Sequence, residues 1–404
     1  MLMDKKYILL ANLSYLPDFG GVENSLRHLA QEYRTLGFTP IILCCESQSK
    51  TYKPCERIDD AIVVRSPRRK GLLGAFKTLF GMAIFARSIT KKRNVEFVIS
   101  RNQISSFFVR LFINSKHIYV APGFAKFQTA DANVTTRKLT SIKKALTTTK
   151  RSINSWLDKQ AISKSDRVFL FSENMKRQAM SLLGPENTRT NEFAIVKPGV
   201  STLRFKPVDS QENVKLRAKY NLPKNDFVFL CIGRLVAAKG IDVAIKAIAK
   251  LPVNCSLVIA GDGIEKESLT KLAIDLGVEG RVHFLGAVNN PEYIYSVSDA
   301  FLMTSRYEPL GQTILEAAAT GLQIISFKND SSIDETSNVT NATKEILDDF
   351  AYYSDAFDAG ALALEMTKVA TLDVSIREEN KKALIGLVKA KYTWNSLAKQ
   401  LIGL

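Results

Sequence analysis

Phe227–Ile232 is an apolar run that stops at Gly233-Arg234-Leu235, with Lys239-Gly240 close behind. A guanidinium fork and an ammonium in one short loop can grip a diphosphate. A solvated loop in which Gly240 caps a helix fits the same residues equally well. The second group is Ser305-Arg-Tyr-Glu-Pro-Leu-Gly-Gln-Thr-Ile-Leu-Glu-Ala317. Pro309 suits a helix start, and Gly311 lets a ligand come close to the backbone. The amides of Leu310, Gly311 and Gln312 then become donors at a helix N-terminus, a ready anion site. Glu316 follows Glu308 by a little over two helical turns and so points to about the same side. One carboxylate can hold sugar hydroxyls and the other a ribose. As plain surface acids the two would only favour the helix dipole. The apolar neighbours of Glu316, Ile314, Leu315 and Ala317 to Ala319, argue instead for a buried partner.

These groups need a rigid frame, and the hydropathy pattern supplies one. Buried strands are expected over 6–13, 40–45, 95–100, 117–121 and 167–171, with a helix over 22–36 ended by Gly37. The pattern restarts near residue 200. Strands over 227–232, 255–260, 281–285, 300–304 and 323–327 alternate with helices over 241–251, 265–276, 291–296 and 312–320. Alternation with nearly all-apolar strands implies parallel sheets covered on both faces, α/β and doubly wound. Two Rossmann-like domains facing a cleft are expected, 1–198 and 199–390, with ligands beyond the carboxyl ends of the strands. The polar segment 329–345 reads as a mobile loop.

The charge breaks at the same place. The 404 residues carry 56 Lys and Arg against 40 Asp and Glu. Before residue 200 the balance is 33 to 15, and from there on it is 23 to 25, so the first half carries the whole positive field. Such a field draws nucleic acid, an anionic membrane face or a phosphorylated substrate. No apolar stretch is long enough to span a bilayer, the N-terminus does not read as a signal peptide, and the five cysteines lack metal-ligand spacing. A cytoplasmic protein with reduced thiols is expected.

Taken together, Gly233-Arg234-Leu235 with Lys239-Gly240, Ala260-Gly-Asp-Gly263, Val282-His-Phe-Leu-Gly286, Glu308 with Glu316, and Gly321 resemble the donor domain of the retaining glycosyltransferases of family 4, the glycosyl transferases group 1 of GT-B fold. The match covers about residues 195–327. Phe19-Gly-Gly-Val-Glu23, Phe169-Leu-Phe-Ser172 and Pro198-Gly-Val200 resemble the family more loosely. The end, Tyr392-Thr-Trp394, looks like its last helix, so the resemblance implies that 391–404 crosses back to the first domain.

The resemblance implies roles. Arg234 and Lys239 would neutralise the donor diphosphate. Glu308 would hold the donor sugar near the reacting carbon, and Glu316 the ribose. Gly20 and Gly21 would close over the phosphates, and backbone after Gly286 would meet the base. Leu310, Gly311 and Gln312 would complete the donor site. The nucleoside diphosphate sugar is then a substrate, no cofactor is needed, and the lack of an Asp-x-Asp motif agrees with metal independence. Many members place His-Gly where this chain has Pro122-Gly123, so Gly123 marks the acceptor side. His28 and His117 read as structural.

Arg65–Arg93 holds nine Lys and Arg and no acid. Leu72, Leu73, Phe76, Leu79, Phe80, Ala83 and Ile84 share one helical face, with Lys77 and Gly81 opposite. The plain expectation is a core helix with a solvated basic rim. The sharper one lays the basic flanks, with Lys143, Lys144, Lys150 and Arg151, on an anionic bilayer. The function expected is sugar transfer to a lipid-linked or saccharide acceptor at the inner membrane face, in surface polysaccharide or glycolipid synthesis. Alternatives are a non-catalytic binding protein of the same fold and a nucleotide-sugar epimerase. Paired acids beside the cations fit a sugar nucleotide and not nucleic acid.

Overall fold

The computed structural model describes residues 5–17, 20–47, 53–128, 141–184, 193–308, 310–328 and 340–404. The chain divides into two compact units, one of residues up to Gly199 together with Trp394–Leu404, the other Val200–Thr393.

The first unit is built on eight strands, β1 (Tyr7–Ala11), β2 (Thr39–Cys45), β3 (Cys55–Ile58), β4 (Ala61–Ser66), β5 (Val95–Ser100), β6 (Lys116–Val120), β7 (Arg167–Leu170) and β8 (Phe193–Ile195), in the order β3-β4-β2-β1-β5-β6-β7-β8. All pairs are parallel except β3 with β4. Central β1 runs Tyr-Ile-Leu-Leu-Ala and is buried on both faces, which is why it reads as one unbroken apolar run. The edge strand β3 alternates exposed and half-buried residues and carries no such signal. Helices α1 (Gly21–Thr35), α2 (Gly71–Lys92), α3 (Gln103–Arg110), α4 (Ala125–Gln128), α5 (Ser141–Lys164) and α6 (Glu173–Leu183) accompany the strands. Ser172 caps α6, accepting from the Met175 amide at 3.1 Å.

Helix α2 divides the expected apolar face. Ala83 is buried and Leu79 packs against the core with Met82 and Ala86, and Gly74 and Thr78 are buried with them, while Lys77 is exposed as expected. Leu73, Phe76, Phe80 and Ile84 are 70%, 58%, 39% and 52% exposed. The cause is backbone proximity. A Cβ on Gly74 would sit 2.8 Å from the Arg69 carbonyl carbon, and one on Gly81 2.8 Å from Ser66 Oγ. The helix therefore approaches closely at Gly74 and Gly81, packs Leu79, Met82, Phe85 and Ile89 on the core, and leaves Leu73, Phe76, Phe80 and Ile84 out. Arg65 belongs to no basic surface, because it is buried and pairs with Glu56.

The second unit has a six-stranded parallel sheet in the order β11-β10-β9-β12-β14-β16. Its strands are β9 (Phe227–Ile232), β10 (Cys255–Ala260), β11 (Val282–Gly286), β12 (Ala300–Met303), β14 (Gln323–Phe327) and β16 (Tyr352–Ser354), while β13 (Tyr307–Glu308) and β15 (Thr340–Asn341) form a separate parallel pair. Helices α7 (Ser210–Lys219), α8 (Ile241–Ile248), α9 (Lys266–Asp275), α10 (Pro291–Val297), α11 (Gln312–Thr320), α12 (Thr343–Leu347), α13 (Ala359–Ala370) and α14 (Val374–Lys391) complete it. Two apolar clusters, one around Val228, Val258 and Ile314 and the other around Phe229, Leu257 and Ile245, lie on opposite faces of the sheet as alternation along its strands requires. Within 329–345, residues 329–339 lie outside the described residues. The remainder is not a loop, since β15 and α12 begin there.

The last helix, α15 (Trp394–Ile402), belongs to the first unit. Trp394 stacks on His28 with ring centroids 4.9 Å apart, Asn395 donates to Glu32 at 2.9 Å, and Tyr33 donates to the Ala398 carbonyl at 3.2 Å. His117 is buried with Nε2 2.9 Å from Ser100 Oγ, and burial lowers its pKa to about 4. Both histidines are structural. Four cysteines are buried and Cys55 is exposed.

Candidate active site

In the second unit the loops after β9, β10 and β11 are stitched together by their backbones. The Gly233 amide donates to the Ala260 carbonyl at 3.0 Å, Leu235 to Asp262 at 2.9 Å, and Gly261 to Gly286 at 2.7 Å. A Cβ on Gly261 would lie 1.8 Å from the Gly233 oxygen, and Gly261 has φ +142°. No other residue fits there. This close approach fixes the loop that carries Arg234, whose exposed side chain has no hydrogen-bond or ion-pair partner among the described residues.

Gly240, at φ +58°, ends the short 3₁₀ turn Ala237–Lys239 and starts α8. A Cβ there would meet the Thr304 carbonyl at 2.2 Å. Thr304 Oγ1 donates to the Lys239 carbonyl at 2.7 Å, and the Arg306 amide donates to Ala238 at 2.9 Å. The Lys239 backbone is thus clamped against the segment after β12. Its Nζ reaches Glu308 Oε2 at 2.6 Å, and its stem passes Gly233. Lys239 and Glu308 are 24% and 13% exposed at their side chains. Structure therefore brings the loop cation and the first acid together directly, a contact that spacing alone does not reveal.

Helix α11 spans Gln312–Thr320 as expected, and Pro309 lies outside the described residues. The second loop differs from expectation in its glycine. The Gly311 amide is not a free donor, since it gives its hydrogen to Glu308 Oε1 at 3.3 Å. Gly311 instead serves as the N-cap in the left-handed region, φ +69°, where a Cβ would lie 2.4 Å from Ile346 Cδ1. Leu310 and Gln312 flank it, both half-buried.

Glu316 stands one helical layer deeper. Tyr295 donates its hydroxyl to Glu316 Oε2 at 2.9 Å. Burial raises the Glu316 pKa to about 7, and hydrogen bonds from Tyr295 and Gln312 pull it back. Arg204, paired with Glu292 at 2.8 Å, also favours the ionised form. The apolar helix around Glu316 signals a buried partner, and that partner is Tyr295. Nothing in the sequence identifies Tyr295 itself, because α10 and α11 meet only in three dimensions.

In the first unit Gly20 and Gly21 open α1 beyond β1. Gly21 has open space around it, whereas a Cβ on Gly20 would lie 2.4 Å from Glu23 Oε2. Glu23 is held by Ser14 and by Asn12 at 3.4 Å. Gly123, φ +139° and buried, follows β6. Close by, the Ala125 amide donates to Asp158 Oδ2 at 2.9 Å, and burial raises the Asp158 pKa to about 7. Asp158 lies in α5 among basic and apolar residues and was not singled out from sequence.

Residues 212–346 match the family described as glycosyl transferases group 1. That stretch is about a third of this chain. The chain is 41% identical over 114 residues to a lipopolysaccharide core biosynthesis glycosyltransferase of Rhizobium meliloti, covering 28% of this chain and 33% of that one. It is 29% identical over 249 residues to a GDP-mannose-dependent alpha-(1-6)-phosphatidylinositol monomannoside mannosyltransferase of Mycobacterium tuberculosis, covering 59% of this chain and 60% of that one. The chain thus spans a third to three-fifths of the length of these relatives. Over 98% of that structure and 99% of this chain, the fold matches Anabaena HepE, solved with UDP and glucose, with a TM-score of 0.75 at 16% identity. The group 1 match contains Arg234, Lys239, Glu308 and Glu316, and the architecture is GT-B. Among the described residues no helix is long and apolar enough to cross a membrane.

Proposed function

We propose that the protein is a retaining glycosyltransferase that moves a sugar from a nucleoside diphosphate sugar to a lipid-linked or saccharide acceptor, in surface polysaccharide or glycolipid synthesis. The observation that carries this reading is the Lys239–Glu308 pair beside Gly233, at the carboxyl edge of the second sheet. A cation for the diphosphate and an acid for the sugar hydroxyls stand in one contact.

In this mechanism the bond between the anomeric carbon and the diphosphate oxygen breaks. The acceptor oxygen bonds to the same carbon from the same face, and its proton passes to the departing diphosphate. Arg234 and Lys239 meet the charge that grows on that diphosphate, which is the main electrostatic task. Glu308 gives up its salt bridge in part to hold sugar hydroxyls, and Glu316 accepts from the ribose. These residues supply the charge stabilisation without a metal. The named relatives support an acceptor of the lipopolysaccharide or glycolipid kind, and the solved likeness with UDP and glucose supports a sugar nucleotide donor.

The outward face of α2 supports a peripheral position on an anionic membrane. Its exposed Leu73, Phe76, Phe80 and Ile84 lie in a segment with eight cations besides the buried Arg65 and no acid. Lys150 on α5 is exposed as well, while Arg151 is engaged with the Lys126 carbonyl at 3.2 Å. The side chains of Lys143 and Lys144 lie outside the described residues.

A thermal-shift panel of UDP, GDP, ADP and their sugars tests the donor side. A nucleotide at 100 times its dissociation constant stabilises by about 2.7 kcal/mol. If none of the panel raises the melting temperature, the transferase reading fails. Proton NMR of the product then reads the anomer, and inversion would exclude the retaining step.

A further inference from the structure

A cavity of about 280 Å³ lies in the second unit, at the amino ends of β12 and β14. Asp299 stands just before β12, and Gln323 opens β14. The candidate donor residues lie at the other edge of the same sheet, where β12 runs into the segment that clamps Lys239.

Helix α14 builds one wall. Val374, Arg377, Glu378 and Lys381 line the cavity at spacings of three and four, which is one helical face. Farther along, that face turns apolar, and Leu384 and Val388 enter the core. The charged first half therefore covers the cavity, and the apolar second half anchors the helix. Two contacts fix the first half. The Gln323 side-chain amide donates to the Arg377 carbonyl at 3.1 Å, and the Asn380 side-chain amide donates to Gln323 Oε1 at 3.1 Å. Gly321, φ +79°, lets the Lys381 stem lie on its backbone, since a Cβ there would be 2.4 Å from Lys381 Cγ.

The charges on the wall leave one cation over. Asp299 is balanced by Arg217 at 2.8 Å, and Glu378 by Lys381 at 3.2 Å. Arg377 is half-buried and has no acidic partner among the described residues, its guanidinium carbon lying 5.5 Å from the centre of the Phe227 ring. A guanidinium over a ring still presents its N–H donors at its edge.

The opposite wall accepts. Ser296, Ser298 and Thr320 are buried, and each hydroxyl donates to the carbonyl four residues back, at 2.8, 2.9 and 2.9 Å. Their oxygens are left as acceptors. The Asn213 side-chain amide donates to the Ser296 carbonyl at 2.7 Å, and Asp299 Oδ2 accepts from Arg217 at 2.8 Å and from the Val228 amide at 2.7 Å. Asn213 Oδ1 and Asp299 Oδ1 are further acceptors without a partner among the described residues. A fitting ligand brings hydroxyl donors to this wall and an anionic group to Arg377 and Lys381. An ammonium fits less well, because Arg217 already neutralises the Asp299 carboxylate.

We propose that this cavity binds a phosphorylated monosaccharide, with its hydroxyls on Asn213, Asp299 and the buried serines and its phosphate on Arg377 and Lys381. The site is separate from the donor site and does not rest on the transferase reading.

Titration calorimetry with glucose 6-phosphate, mannose 6-phosphate, glucose and inorganic phosphate tests the site on the full chain. At least one of the two sugar phosphates is expected to bind about tenfold more tightly than glucose or inorganic phosphate. Arg377→Ser with Lys381→Ser should weaken it about tenfold. Glu378→Gln removes the exposed acid that engages Lys381 and should tighten binding about twofold to fivefold, a gain that misfolding cannot produce. Lys250→Ser with Lys271→Ser removes two exposed cations outside the cavity and should leave the affinity unchanged. If neither sugar phosphate binds the parent, or inorganic phosphate binds as tightly, the proposal falls. It falls as well if the Arg377 and Lys381 double variant binds as the parent does, or if Glu378→Gln binds less tightly than the parent. An equal loss in the Lys250 and Lys271 variant would assign the binding to net charge and overturn the cavity. Excess UDP or GDP should not displace the sugar phosphate; displacement would put it in the donor site and overturn the proposal.

Discussion

Lys239 Nζ lies 2.6 Å from Glu308 Oε2, and this pair ties the loop after β9 to the strand that precedes α11. Both partners are largely shielded from water, so the contact is stronger than a surface pair and weaker than one in a dry core. Glu308→Ala should cost about 1–3 kcal/mol of stability and lower kcat roughly 10²–10³-fold. The exchange Lys239→Glu with Glu308→Lys separates the two effects. It should restore most of the melting temperature and none of the transfer rate, since the diphosphate would then face an acid. Recovery of activity in the exchanged protein would show the pair to be structural only.

The Tyr295–Glu316 contact makes a prediction in pH. Burial holds the Glu316 pKa at about 7, against an ordinary value of 4.5. Between those values the unfolded chain has lost this proton and the folded chain keeps it. Stability therefore falls as pH rises through that window. Glu316→Gln removes the penalty, so the variant should gain on the parent by up to about 3 kcal/mol between pH 4.5 and 7. Urea titrations at pH 5 and pH 7.5 read the difference. Equal pH slopes in the two proteins would contradict it. Tyr295→Phe removes a bond that favours the carboxylate, and should move the Glu316 titration further up.

The glycines of the donor loops should not be interchangeable with other left-handed glycines. Gly261→Ala drives a Cβ to 1.8 Å from the Gly233 oxygen and has no rotamer by which to escape. Gly277, φ +67°, has open space around it. Gly277→Ala should cost about 1–2 kcal/mol, the price of the conformation alone. Gly261→Ala should cost more than about 3 kcal/mol, because backbone must move, and should displace Arg234. Calorimetric melting of the two variants compares them directly.

Much of this was legible because parallel strands buried on both faces are nearly pure apolar runs, as in Phe227–Ile232. The glycine, cation and acid spacings of the second unit then fall at the ends of those runs. Strands β3, β4 and β8 were missed, being short or part-exposed and mixed in character. The direct Lys239–Glu308 contact and the Tyr295 partner were missed because they join residues 69 and 21 positions apart. Helix α2 misled for a different cause. Hydrophobic periodicity finds an apolar face but not its destination, and here Leu73, Phe76, Phe80 and Ile84 of that face point outward while Leu79 and Ala83 point inward.

That division of the α2 face can be checked by mutation. Phe76→Ser with Phe80→Ser removes exposed rings, so the melting temperature should move by no more than a few degrees. Met82→Ser, one position on the other side of the helix, buries a hydroxyl in the core and should cost about 2–5 kcal/mol. Binding to vesicles with anionic lipid should show the opposite order. The double Phe variant should lose roughly tenfold or more, as two exposed aromatics each forgo part of a transfer energy of about 1.5–3 kcal/mol. Met82→Ser, where still folded, should bind as the parent does. Co-sedimentation at low and high salt reads both results, and the cationic share of the binding should fade at high salt while the aromatic share persists. If the double Phe variant proves the less stable of the two, the bulky face points inward and the membrane assignment of α2 fails with it.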